Sequence, residues 1–150
     1  MVQFLVNCSL AKYVTMKKLT LHKLIWMAVF VFSAAFIQSD INSTVTEINT
    51  ALKAGNISKL VSYLSDPVDL TLPDADDSFS KAQATVILKK FFSQNKVKAY
   101  SQKKSGKSVD GSVFTIGSYE AVNGKKFRSY FLIKNQGGKN LIQFIEFEEE

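Results

Sequence analysis

The chain has 150 residues, an apolar fraction of 46% and a charged fraction of 21%, which is the composition of a globular chain rather than a disordered one and allows one domain with a sizeable core. Its net charge of +6 suggests a nucleic-acid or acidic-membrane partner until the charges are located: Lys12, Lys17, Lys18 and Lys23 precede residue 24, every acid follows residue 39, and beyond residue 35 there are 15 basic and 13 acidic side chains. No nucleic-acid partner is therefore expected. Cys8 and His22 are the sole cysteine and histidine, and both lie before residue 24. Ser-His-Asp and Cys-His catalysis are thus excluded from the rest of the chain, as are His or Cys sites for a metal or haem.

Residues 1–39 read as a leader. From Met16 a basic stretch is followed by an apolar run, Leu24 to Ile37, broken only by Ser33, with small residues at Ser33 and Ala35. That run is shorter than the ~20 residues that cross a bilayer, so a cleaved secretory signal is expected rather than a permanent anchor. Met16 is the expected initiator, with cleavage near Ala35 to Ser39 and release to the periplasm or exterior. Membrane contact is expected only through this leader.

Residues 40–150 read as one domain. Ser43 or Thr44 to Ala54 is a helix with Val45, Ile48 and Leu52 on one face, ended by Gly55. Ile57 to Leu64 is a second, short helix. Asp66-Pro67 is a turn, Val68 to Leu72 a short strand, and Asp74, Asp76 and Asp77 an acidic turn before the next helix. That helix, Ser80 to Asn95, opens with a capping box at Ser80 and Gln83 and carries Ala84, Ile87, Leu88 and Phe91 on one face. Asp110-Gly111, Asn123-Gly124 and Gly137-Gly138 then predict three tight turns joining four strands: Lys96–Lys107, Ser112–Ala121, Lys125–Lys134 and Leu141–Glu148.

Two helices, a short strand, a long helix and a four-stranded meander resemble the cone-shaped α+β superfamily of nuclear transport factor two and ketosteroid isomerase. The stretches ALKAGNISKLVSYLSDPVDLTLPD, QATVILKKFFSQN and FTIGSYEAVNGKKFRSYFLIK further resemble short exported bacterial proteins of unknown function with that fold. The resemblance, over residues 45–149, implies an α+β fold in which the helices pack on a curved four-stranded antiparallel sheet. It also implies a cone that can hold small molecules and pairing of copies through the sheet. Superfamily enzymes commonly use an aspartate or histidine base; the domain has no histidine and no aspartate matched to that role, so activity is not carried over.

Tight turns at all three positions set the registers. They place Phe114, Ile133 and Ile142, and Ile116, Phe131 and Phe144, on the helix side. Ser118, Ser129 and Glu146 then line up at the end of that face, with Lys103 beside them, as a candidate site for a partly polar small molecule. The opposite face would carry Tyr119, Arg128, Tyr130, Leu132 and Ile145 as a homodimer surface. The expected function is a non-enzymatic extracytoplasmic module binding a small molecule or a protein, with no cofactor, no metal and no catalytic residue assigned. A carboxylate-dependent isomerase or hydrolase is the alternative, and a polyanion surface at Lys96, Lys98, Lys103, Lys104 and Lys107 a further one. A calcium loop at Asp74, Asp76 and Asp77 is disfavoured, because Phe79 and Thr85 stand where an EF-hand needs glycine and glutamate. The Glu146, Glu148, Glu149 and Glu150 tail reads as a solvated strand end.

Overall fold

The computed structural model describes residues 40–150, so the expected leader lies outside the described residues. Helix α1, Ile41–Ala54, starts where the Asp40 carboxylate accepts the Asn42 N–H. It ends at Gly55, whose φ of 64° lets the Gly55 and Asn56 N–H groups close on the Leu52 and Ala51 carbonyls. Helix α2, Ile57–Ser62, is capped by Asn56. Helix α3, Lys81–Gln94, has both arms of the Ser80/Gln83 capping box and buries Ala84, Leu88, Phe91 and Phe92.

The strands are β1 (Leu64–Leu72), β2 (Ala75–Phe79), β3 (Val97–Lys107), β4 (Val113–Ala121), β5 (Lys126–Gln136) and β6 (Lys139–Glu149), forming one mixed six-stranded sheet in the order β2-β1-β6-β5-β4-β3. The fold is α+β, helices on a curved sheet, as expected, but with six strands where four were expected. The strand read from Val68 begins at Leu64, so Pro67 lies inside it, and β1 pairs parallel to β6 with an irregular register between Leu64 and Asp69. The acidic segment after Pro73 is strand β2, paired antiparallel to β1, rather than a turn leading into the helix.

Two local features reverse the side-chain assignment of the meander. At the β4–β5 connection Ala121 pairs with Lys125 around Val122, Asn123 and Gly124, with the Gly124 N–H donating to the Ala121 carbonyl. This connection is one residue longer than a two-residue turn, so Tyr119 faces Phe127, not Arg128. A one-residue slip moves every side chain of a strand to the other face. At the β5–β6 end the Gly137-Gly138 turn is the tight one expected, with both glycines at positive φ and Gln136 opposite Lys139. An irregularity between Leu132 and Ile133 then shifts the pairing, so Ile133 meets Ile142 while Phe131 meets Ile145. The Asp110-Gly111 turn is also longer, with the Ser108 N–H closing on the Ser112 carbonyl.

The helix-facing side of the sheet consequently buries Val113, Tyr119, Phe127, Phe131, Ile133, Ile142, Ile145 and Phe147. Their rings and those of Phe91 and Phe92 meet edge to face or tilted, with centroids 5.1–6.3 Å apart. Phe114, Ile116 and Phe144, expected on this side, lie on the other and are half-buried.

Candidate functional site

The expected row of Ser118, Ser129, Glu146 and Lys103 is not assembled. Ser129 is fully buried on the helix side, its hydroxyl donating to the Gly117 carbonyl at 3.2 Å. Ser118 is on the outer side, opposite Arg128. Glu146 is also outside, accepting from Arg128 Nη1 at 3.3 Å and lining an acidic cleft of about 500 Å³ with Thr71 and Glu148. Lys103 is exposed at the register shift between Gln102 and Lys104 of β3. The slips described above separate the row: β5 keeps its assigned face and Ile142 stays on the helix side, whereas β4 and the part of β6 from Phe144 onward are turned over.

Ser129 instead belongs to a different polar cluster, built by α1 and the inner faces of β3, β4 and β5. The Tyr100 hydroxyl donates to Asn49 Oδ1 at 3.1 Å, and Asn49 Nδ2 donates to Gln102 Oε1 at 2.5 Å. Gln102, solvent-exposed, is the outer member; Asn49, Tyr100, Thr115 and Ser129 are buried. Burial pushes the Tyr100 phenol up, with the Ser129 and Thr115 hydroxyls beside it acting the other way. Thr115 Oγ1 is fully buried and has no hydrogen-bond partner among the described residues. The cluster exists because Gly117 has no side chain: a Cβ there would stand 2.6 Å from the Tyr100 hydroxyl. Glycine inside a strand is the sequence signal for such a close approach; of the cluster, Ser129 is among the site residues expected from the sequence, whereas Asn49, Tyr100, Gln102 and Thr115 are not.

This cluster offers neutral donors and acceptors and no charge. Among the described residues the other buried phenol, Tyr119, is pushed up to about 12 by burial and donates to the Asn95 carbonyl at 2.5 Å. Among the described residues the carboxylates with displaced protonation are held low at the surface, Glu47 by Lys59 and Tyr63, Glu120 by Lys98 and Asp110 by Ser112 and Lys134. None of these groups exchanges a proton near neutral pH, as a general acid or base must.

The outer face holds a second candidate. Phe114 of β4 stacks on Tyr130 of β5 with ring planes 5° apart and centroids at 6.2 Å, and Tyr130 meets Phe144 of β6 edge-on at 5.8 Å. Ile116 and Leu132 are their register neighbours, and Arg128 bridges Glu146 and Glu148 at the border. Of the expected dimer surface, Arg128, Tyr130 and Leu132 are on this face, whereas Tyr119 and Ile145 are in the core. The lysines read as a polyanion strip lie on β3, the end strand of the sheet, except Lys96 just before it; Lys98 is paired with Glu120.

The family described as Domain of unknown function (DUF4783) matches residues 45–148. The chain is 31% identical to a DUF4783 family protein from Bacteroides ovatus ATCC 8483, over 69% of this chain and 93% of that one, with a TM-score of 0.64. A DUF4783 family protein from Bacteroides uniformis ATCC 8492 is 28% identical over 70% and 95%, with a TM-score of 0.65. An NTF2-like protein of unknown function from Cytophaga hutchinsonii ATCC 33406, 17% identical over 74% and 90% with a TM-score of 0.53, shares the fold alone. No curated protein matches the chain. The chain therefore belongs to the DUF4783 family, and it shares its fold with NTF2-like proteins.

Proposed function

We propose that residues 40–150 form a non-enzymatic extracytoplasmic module that works by binding, and that its outer sheet face binds a second copy of the chain. The observation that carries this reading is the stripe of Phe114, Tyr130 and Phe144, three rings touching diagonally on three adjacent strands, with Leu132 in register between Phe114 and Phe144 and Ile116 opposite Tyr130. Apolar groups continuous across a sheet face favour burial against a partner. A two-fold interface brings the same patch from both copies together, and Arg128, Glu146 and Glu148 form a mixed-charge cluster at one border of the stripe, where either copy offers both signs of charge to the other. The inner cluster supports binding over turnover, because it holds hydroxyls and amides but no group poised near neutral pH. The leader read from Met16 supports export.

The test is a concentration series of amide NMR spectra. The reading expects the Phe114, Ile116, Tyr130, Leu132 and Phe144 amides to shift together as concentration rises, with α3 unchanged. Shifts confined to the β3 lysines, or none, would contradict it.

A further inference from the structure

The edge of the sheet formed by β2 carries a feature that neither the inner cluster nor the outer stripe uses. Between β2 and α3 lies a cleft of about 300 Å³, at the small end of the range for ligand pockets. Leu72, Ala75, Phe79, Ile87 and Phe91 supply its apolar lining, and Asp74 and Lys90 stand at its rim. Strand β2 is the last strand on this side, so among the described residues its outer edge is unpaired.

The hairpin defines what that edge offers. Leu72 and Ala75 close a two-residue turn and exchange hydrogen bonds, so by antiparallel alternation the backbone groups of Asp76 and Ser78 point away from β1. Consistently, the Ser78 N–H donates to the Asp77 carboxylate at 2.7 Å. Side chains alternate in the same way. Asp76, opposite Thr71 and bonded to its hydroxyl at 2.9 Å, is on the outer side. Ala75, Asp77 and Phe79, opposite Leu72, Leu70 and Val68, face the helices. Asp74, Asp76 and Asp77 are exposed, and none is in a salt bridge among the described residues, on a domain with more basic than acidic side chains.

We propose that the β2–α3 groove is a strand-addition site for an extended peptide segment of a partner protein in which basic and apolar residues alternate. Main-chain bonds to Asp76 and Ser78 give the added strand its place, with an incoming carbonyl replacing the Asp77 carboxylate on the Ser78 N–H. Residues opposite Asp76 and Ser78 lie on its outer side, where lysine or arginine meets Asp76. Residues between them turn toward the helices, where an apolar side chain enters the cleft between Phe79, Ile87 and Phe91. Lysines commonly keep an edge strand from pairing, whereas this edge carries three acids and repels another copy of itself while attracting a basic strand.

The probe is the blocked heptapeptide acetyl-KVKFKVK-amide, titrated against the full-length chain at low salt by fluorescence anisotropy and by amide hydrogen exchange. Saturable binding is expected, weakened at least tenfold in acetyl-KVKAKVK-amide and in the exposed-site variant Asp76→Lys, with slowed exchange at Asp76 and Ser78. Any of four results would overturn the proposal: no saturable binding, equal binding of acetyl-EVEFEVE-amide, binding of free L-phenylalanine in place of the peptide, or peptide binding without protection of those two amides. The last would mean charge attraction alone.

Discussion

Replacing Gly117 by alanine tests whether Tyr100 lies across strand β4 as described. The new methyl carbon would stand 2.6 Å from the Tyr100 hydroxyl and 2.7 Å from two ring carbons, well inside ordinary contact. Gly117 has no positive φ, so backbone strain does not enter. The ring must move by about 1 Å, and it is 6% exposed and tied to Asn49, so it moves against packed neighbours. Overpacking of this kind costs about 1–3 kcal/mol. Loss of the Tyr100–Asn49 bond adds about 0.5–1.5 kcal/mol, which brings the expected loss to about 2–4 kcal/mol. Urea unfolding of both proteins measures it as a lower midpoint with unchanged slope. A double-mutant cycle with Tyr100→Ala isolates the cause, because Gly117→Ala should then cost much less. A loss below about 0.5 kcal/mol, or one of equal size in both backgrounds, would refute the placement of Tyr100.

The register makes the two tyrosines of the meander unequal: Tyr119→Phe deprives the buried Asn95 carbonyl of its donor and should cost about 1–3 kcal/mol, while Tyr130→Phe on the outer face should be near neutral in the same unfolding assay. Phe91→Ala, which removes the ring packed on Phe92, Phe127 and Phe147, should cost about 3–5 kcal/mol by thermal or urea unfolding. Asp110 is held down to about 2 by the Ser112 hydroxyl, then the Ser112 N–H and Lys134. Its folded value lies below the unfolded one of about 3.9, so its stabilisation is complete above about pH 4 and is lost as the pH falls toward 2. Carboxyl NMR titration should show this low midpoint, and Ser112→Ala should raise it.

The helices and the existence of each meander strand were legible in the residues because their signals are local. Ser80 and Gln83 cap α3 as expected, and Gly55 and Gly137-Gly138 occupy the left-handed conformations their positions require, whereas α1 starts at Ile41 with Asp40 as its cap, ahead of the Ser43 or Thr44 start that was expected. Strand β2 was not legible: ADDSF has the charge of a solvated turn, and it is a strand because β1 supplies a partner across Pro73 and Asp74. The candidate site failed on connection length. Asn123-Gly124 has the composition of a two-residue turn, yet Val122 joins the loop, and nothing in the local residues distinguishes the two closures. The shift between Leu132 and Ile133 is likewise a tertiary outcome: it puts Ile145 and Phe147 in the core and turns Phe144 and Glu146 outward. Strand β5, flanked by both irregularities, kept Ser129, Arg128, Tyr130 and Leu132 on their expected faces.

Sedimentation equilibrium of the chain and of Leu132→Asp tests most directly whether the outer stripe is the binding face. Leu132 is half-buried and outside the core, so the substitution spares the fold and places a charge between Phe114 and Phe144. The account predicts reversible association of the parent chain to twice its mass at or below about 100 μM, a free energy of about −5.5 kcal/mol or better, and a monomer for Leu132→Asp. A parent chain that stays monomeric at that concentration, or a variant that associates equally well, would contradict it.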